Sequence, residues 1–167
     1  TQDTVARRAI DRTQTAATTV ACLGDSVEDL EAARTLPEAD LLRIKQLQVG
    51  RRWVWIEGNH DPGPVNLNGD HCSEKSFKPL IFRHIAQAEG ATGEITGHYH
   101  PKASVIARGR KITRSAFLID SDRIVMPAYG TYTGGLDSKS KVLTHLMKPG
   151  AIAVLTGKNP AVIPMPR

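Results

Sequence analysis

Three times along this 167-residue chain a β-branched or apolar run stops at a glycine and is followed at once by polar side chains. The runs end in Gly24-Asp25, in Gly58-Asn59-His60-Asp61 and in Gly97-His98-Tyr99-His100. This recurrence constrains the fold more than any property of the whole chain. Side chains at the carboxyl ends of strands in an α/β sheet converge on one crevice, and a glycine at the strand end lets the backbone turn sharply into it. A carboxylate, an amide oxygen and imidazoles are donors that Mn²⁺, Fe or Zn²⁺ accept. The absence of thiolates from the three clusters argues against a structural zinc site.

The stretches between the clusters read as an α/β order. Asp3 is placed to cap a helix to about Gln14, with Val5, Ala6, Ala9 and Ile10 on one face. Residues 18–23 form a buried strand, a helical stretch then breaks near Pro37, and it resumes through Leu41, Leu42, Ile44 and Leu47 to stop at Gly50. Residues 52–57 form the next strand, in which Trp53 and Trp55 alternate with Val54 and Ile56 as core. After a Pro/Gly/Asn loop at 62–69, short strands are expected at 80–84, 94–96, 103–107, 114–119 and 123–126. Gly109 and Asp120-Ser121-Asp122 mark hairpin turns, and 151–155 with 161–163 close the chain as a hairpin. Alternating strands and helices followed by strands alone imply two packed sheets with helices outside. With no repeat, low-complexity tract or linker, a single domain over 1–167 is expected.

In a strand, residues i and i+2 point to one side, so His98 and His100 are expected to face a common site. His71 lies in a Gly/Asn-rich stretch and reads as a solvated loop residue, and His145, without polar neighbours in sequence, reads as structural.

Taken in order, the clusters resemble the signature of the calcineurin-like metallophosphoesterases: Asp-x-His, Gly-Asp-x-x-Asp/His, Gly-Asn-His-Asp/Glu, a lone His, then Gly-His-x-His. The resemblance implies an α/β fold, a four-layer α/β/β/α sandwich of two mixed sheets. It implies two divalent metal ions, manganese first, with iron or zinc as alternatives. Asp25 then corresponds to the carboxylate bridging the two metals, Asn59, His84 and His98 to the other ligands of the second metal, and His100 to a ligand of the first. His84, in Phe82-Arg83-His84, stands where the lone histidine belongs, and His60 corresponds to the proton donor, which is not itself a ligand.

Three stretches narrow the resemblance. Cys22-Leu23-Gly24-Asp25-Ser26, Gly97-His98-Tyr99-His100-Pro101-Lys102 and Met126-Pro127-Ala128-Tyr129-Gly130-Thr131-Tyr132-Thr133-Gly134-Gly135 resemble the bacterial ligase-associated DNA-damage-response endonucleases. The implied function is a manganese-dependent phosphodiesterase acting on DNA in repair, associated with a ligase and a helicase in the bacterial cytoplasm. Where that family places His after Gly24-Asp25-Ser26-Val27, this chain has Glu28. A carboxylate beside an imidazole favours its charged form, so Glu28 is expected to keep His60 protonated to higher pH. The cationic Arg108, Arg110, Lys111 and Arg114, with Tyr129 and Tyr132 as stacking platforms, fit a DNA partner, and fit a solvated hairpin equally well. A small-molecule phosphodiesterase or phosphatase of the same fold, or a metal-poor binding scaffold, are the competing readings. His60 favours an enzyme, since a scaffold needs no proton donor.

Composition adds little. The formal charge of +5, from 22 Lys+Arg against 17 Asp+Glu, gives a nucleic-acid partner only slight weight. Cys22 and Cys72 belong to no CxxC pair, which points to a reducing compartment. The longest apolar run, 151–155, is far short of the roughly 20 residues of a membrane span. The chain opens Thr1-Gln2-Asp3-Thr4 without methionine or signal peptide, and no Asp-x-His stands ahead of Asp25. The expectation from this is a chain trimmed at its front, lacking the first strand, that binds at most one metal tightly and turns over poorly.

Overall fold

The computed structural model describes residues 17–89, 92–130 and 134–166. The helix expected between Asp3 and Gln14 and the side chain of Tyr132 lie outside the described residues. The chain divides into two compact units. The first runs to Lys75 and takes in Phe82–His84 with Tyr129 and Gly130; the second holds Ser76–Ile81, Ile85–Ala128 and the described residues after Thr133.

The first unit is a parallel sheet with one helical crossover. Its strands are β1 (Thr19–Cys22), β2 (Arg52–Ile56) and β3 (Asp70–Cys72), in the order β1-β2-β3. Both pairings are parallel, and parallel neighbours need a crossover rather than a tight turn. Between β1 and β2 the crossover is helical, α1 (Leu30–Arg34) followed by α2 (Glu38–Gln48). Asp29 caps α1 by accepting from the Ala32 N–H at 2.6 Å. Pro37 separates the two helices: it has no N–H to continue α1, and its φ of −55° is already set for the start of α2. The middle strand β2 is buried from Trp53 through Ile56, as a strand covered on both faces must be. Trp53 and Trp55 share one face with ring centroids 5.3 Å apart. They pack with Ala33, Val65, Leu30, Ile44 and Leu47 as the core of this unit.

Strand β3 corrects the sequence reading of its region. Asp70-His71-Cys72 has no alternating pattern to announce a strand, yet Val54 pairs with Asp70, Trp55 with His71 and Ile56 with Cys72. Here pairing to a well-buried neighbour overrides weak intrinsic preference. His71 is therefore not a solvated loop residue. It is half-buried, its ring stacks on Trp55 at 6.4 Å, and its Nε2 lies 3.1 Å from the Leu67 carbonyl oxygen. Because β2 lies between β1 and β3, Cys22 and Cys72 sit two strand spacings apart, roughly 9–10 Å. That exceeds the reach of a disulfide, and both thiols are free.

An eight-stranded sheet underlies the second unit. It contains β4 (Glu74–Phe77), β5 (Leu80–Arg83), β6 (Glu94–Thr96), β7 (Lys102–Ala107), β8 (Arg110–Ile119), β9 (Arg123–Val125), β10 (Ile152–Leu155) and β11 (Ala161–Pro164). The order is β11-β10-β8-β9-β6-β5-β4, with β7 paired to β8. The sheet is mixed: β6 and β9 run parallel, while β8 pairs antiparallel with β7, β9 and β10. Both predicted hairpin turns form. Arg108 (φ 50°) and Gly109 (φ 73°) make the two-residue loop of β7–β8, and positive φ at both central positions is what a type I′ turn requires. The Asp120 carboxylate accepts from the Asp122 and Arg123 N–H groups at 2.8 and 2.9 Å and shapes the β8–β9 turn. A third helix, α3 (Lys141–Leu146), was not legible as such. Ser140 caps it, and it drives Leu143 and then Met147 into a core of Ala103, Ala116, Leu118, Val125, Ala153 and Leu155. His145 is exposed on α3, its Nδ1 2.6 Å from the Lys141 carbonyl one turn earlier. Among the described residues no helix is long and apolar enough to cross a membrane.

Candidate metal centre

Asp25 leaves β1 on two successive left-handed residues, Gly24 (φ 82°) and Asp25 itself (φ 49°). The second is costly for a residue with a side chain. Gly24 admits no substitute, because a Cβ there would lie 2.5 Å from His84 Nδ1 and 2.8 Å from the Gly58 Cα. Gly58 is under the same constraint, since its Cβ would run into the Asp25 carboxylate and lie 2.6 Å from Asp61 Oδ1. Three segments thus cross at van der Waals contact. Glycine is what lets them do so.

Asp61 holds these crossings in place. Its side chain is only 3% exposed. One carboxylate oxygen accepts from the Gly58 and Asp25 N–H groups, both at 2.8 Å, and the other accepts from the Ser26 N–H at 2.8 Å. Asp25 in turn accepts from the His60 N–H at 3.0 Å. Sequence reasoning passed over Asp61 as a functional residue. The signal was present in its place as last member of Gly58-Asn59-His60-Asp61.

His84 follows β5 and is 5% exposed. Its Nδ1 lies 2.6 Å from the Leu23 carbonyl oxygen. A carbonyl only accepts, so Nδ1 carries the proton and, in a neutral ring, Nε2 presents a lone pair. That lone pair is 3.2 Å from Asp25 Oδ2 and 3.0 Å from Asn59 Oδ1. Turning the Asn59 amide over would change one of these contacts, but the carboxylate has no donor to offer. A doubly protonated ring would donate from Nε2 to Asp25, and a neutral one offers its lone pair, with the two oxygens, to a shared cation. A histidine whose far nitrogen is fixed by a backbone carbonyl is also the usual form of a metal-ligating histidine. The cluster of Asp25, Asn59 and His84 therefore fits a divalent ion.

The histidine pair is placed differently from its sequence expectation. β6 stops at Thr96, so His98 and His100 are not strand neighbours on one face. Gly97 to His100 form a turn in which the Tyr99 N–H donates to the Gly97 carbonyl at 2.7 Å, with His98 as central residue at φ 59°. A three-residue turn with positive φ at its centre is the rare, strained form. His100 is again left-handed, at φ 45°. Gly135 downstream explains how the turn is backed: a Cβ there would collide with the His100 carbonyl oxygen, while the Leu136 N–H donates to the Tyr99 carbonyl at 3.1 Å. An open cleft of about 260 Å³ is lined by His98, Tyr99, His100, Gly135 and Leu136. The Tyr99 ring stands edge-on to His98 at 5.0 Å, and burial, with Glu94 behind it, pushes its phenol above the usual range.

The first unit thus brings Asp25, Asn59 and His84 together, and the second carries His98 and His100 on one turn. The donor types of Asp25 and His84 in the first unit, and those of His98 and His100 in the second, each suit a divalent ion. His60 is exposed beside Asn59. Glu28 is exposed in the loop before α1 and makes no hydrogen bond or ion pair among the described residues.

An α/β chain built on two sheets, with a carboxylate, an amide and an imidazole gathered where strands end, is nuclease- or phosphoesterase-like in architecture. Among solved structures it is similar to the crystal structure of Pseudomonas putida nuclease MPE, at 25% identity and a TM-score of 0.69, over 93% of this chain and 76% of that one. No family model and no curated protein matches the chain.

Proposed function

We propose that this protein is a metal-dependent phosphodiesterase that cleaves DNA, in the manner of the ligase-associated DNA-damage-response endonucleases its motifs resemble. The observation that carries the reading is the Asp25–His84 contact, Nε2 to Oδ2 at 3.2 Å, with the second imidazole nitrogen fixed by Leu23. The nuclease fold neighbour supports it. Asp25, Asn59 and His84 are the first unit's proposed ligands, and His98 and His100 the second's. Divalent ions, manganese foremost, are the proposed complement. When bound, such ions supply Lewis acidity toward a phosphoryl oxygen and acidify water.

The chain's own residues do the rest. Asp61 fixes the backbone from which Asp25 and Asn59 project. His60, exposed and tethered through its own N–H to Asp25, is the proton donor to the leaving oxygen. Glu28 is the outermost member of the set, acting on His60 only through charge. Association with a ligase and a helicase, and a cytoplasmic site of action, belong to the same proposal.

The deciding assay compares nicked, single-stranded and duplex DNA with chromogenic mono- and diesters in manganese. Diesters are expected to be cleaved faster than monoesters. His60→Ala is expected to slow turnover by about 10²–10⁴ with metal content intact. A strong monoester preference with no nuclease activity would move the assignment to a phosphatase, and loss of metal on His60→Ala would make His60 a ligand.

A further inference from the structure

The β7–β8 hairpin is longer than the sheet that roots it. β10 and β9 pair with β8 only from Ala116 to Ile119. From Arg110 to Ser115, β8 pairs only with β7, so these residues form a two-stranded ribbon closed by the Arg108-Gly109 turn. The ribbon is charged in one sense. No Asp or Glu occurs between Glu94 and Asp120, whereas Lys102, Arg108, Arg110, Lys111 and Arg114 all fall there. Arg108, Arg110, Lys111 and Arg114 are exposed, and none makes an ion pair among the described residues. Elsewhere the chain places carboxylates beside some of its exposed cations, as in Arg52 with Asp70 at 2.6 Å and Arg34 with Glu31 at 3.5 Å. The ribbon does not.

The register distributes these charges over both faces. Residues directly opposite share a face, so Arg110 (across from Ala107) and Arg114 (across from Ala103) project to one side. Lys111, across from the 82%-exposed Ile106, projects to the other. Arg110 and Arg114 are four residues apart, roughly 14 Å along the strand. A two-stranded ribbon is one of the two elements that the DNA major groove admits, and cations on both of its faces meet phosphates on both groove walls.

We infer that the β7–β8 ribbon is a DNA-holding arm, gripping the duplex backbone through Arg108, Arg110, Lys111 and Arg114 apart from the residues that carry the chemistry. The choice of DNA as partner rests on the nuclease reading. Binding to phosphates is sequence-independent and releases counterions, so its signature is the salt slope.

The experiment measures affinity for a fluorescent duplex by anisotropy, in EDTA to prevent cleavage, at several salt concentrations between about 50 and 200 mM. Arg108→Gln/Arg110→Gln/Lys111→Gln/Arg114→Gln is expected to lower the slope of log K against log salt by about 3. A control, Lys45→Gln/Lys139→Gln/Lys141→Gln/Lys158→Gln, removes the same charge from exposed lysines elsewhere and is expected to leave most of that slope. Circular dichroism confirms that both fold. An unchanged slope in the ribbon variant, an equal loss in the control, or binding of the unmodified protein to phosphatidylserine vesicles but not to DNA would each overturn the inference. Failure of the nuclease reading shows separately, as absence of hydrolysis in any metal with these slopes still measurable.

Discussion

The two ligand-bearing regions are held by different physics. In the first unit, Asp25 and Asn59 project from loops stitched by side-chain-to-backbone hydrogen bonds, three of them converging on the buried Asp61. In the second, His98 and His100 stand on a tight turn, and what fixes them is backbone conformation: two left-handed residues and a γ-type hydrogen bond, backed by Gly135. The first arrangement gains stability from the contacts that position its ligands. The second gives stability up, since left-handed residues with side chains cost about 1–3 kcal/mol each. The first region offsets the one left-handed side chain it carries, Asp25, with these bonds, whereas the second carries two, and variants separate the regions.

The largest effect is expected at Asp61. Asp61→Ala leaves three backbone N–H groups without their acceptor, and an orphaned buried donor costs about 1–3 kcal/mol. With partial relaxation, urea unfolding is expected to show about 3 kcal/mol of destabilisation, and a Mn²⁺ titration a marked loss of affinity. A loss below about 1 kcal/mol would mean that the Gly58 and Asp25 loops hold their shape unaided.

His98→Gly tests the opposite arrangement. Glycine relieves the left-handed strain at φ 59°, against which stands its greater freedom in the unfolded chain. The expected balance is unchanged or improved stability, by up to about 1 kcal/mol, with Mn²⁺ affinity down by roughly 10-fold or more. If the variant is destabilised by more than it loses in affinity, the turn is held by the imidazole's packing on Tyr99 and not by backbone constraint.

Alkaline pH should divide the units as well. Cys22 ends β1 just ahead of Gly24-Asp25, and burial, with the Asp61 carboxylate adding to it, pushes its thiol from 9.0 up to about 12. Because the folded value lies above the unfolded one, the stability it confers is complete below pH 9 and is lost as pH rises toward 12. Hydrogen exchange is expected to show opening of the β1–β2 pair before the β8–β10 pair across that window, and Cys22→Ala to abolish the difference. Equal opening in both pairs would place the alkaline sensitivity elsewhere.

Much of this was legible because the informative residues are punctuation. Gly24, Gly58 and Gly97 mark strand ends, and the donors that follow each are of types with few structural uses together. The α/β order and the buried Trp53–Ile56 run followed from periodicity alone. What stayed hidden depended on partners distant in sequence. Asp70-His71-Cys72 becomes a strand only because β2 offers it an edge, and Asp61 is defined by three N–H groups, two of which lie some 35 residues away. The geometry at His98 was misread for a related reason. Two histidines spaced i and i+2 look like strand neighbours, and nothing local reveals that the strand has already ended at Thr96.

The smallest expected effect is at Glu28, and it sharpens the comparison by asking how far the bonded region extends. From sequence, a carboxylate at this position favours protonated His60, and Glu28→Gln would lower the pH at which activity falls on the alkaline side. Glu28 and His60 are both exposed, and no hydrogen bond or ion pair joins Glu28 to any described residue. Between exposed groups, water and salt screen a charge beyond about one Debye length, about 8–10 Å in ordinary buffers, and even close exposed pairs contribute only about 0–1 kcal/mol. The expected change in kcat/KM is therefore within about a factor of two. Raising salt to about 1 M, where the Debye length shrinks to about 3 Å, should erase even that. A loss of about tenfold or more in kcat/KM that persists in high salt would show a direct Glu28–His60 hydrogen bond during turnover, and would extend the bonded region from Asp61 out to the loop before α1.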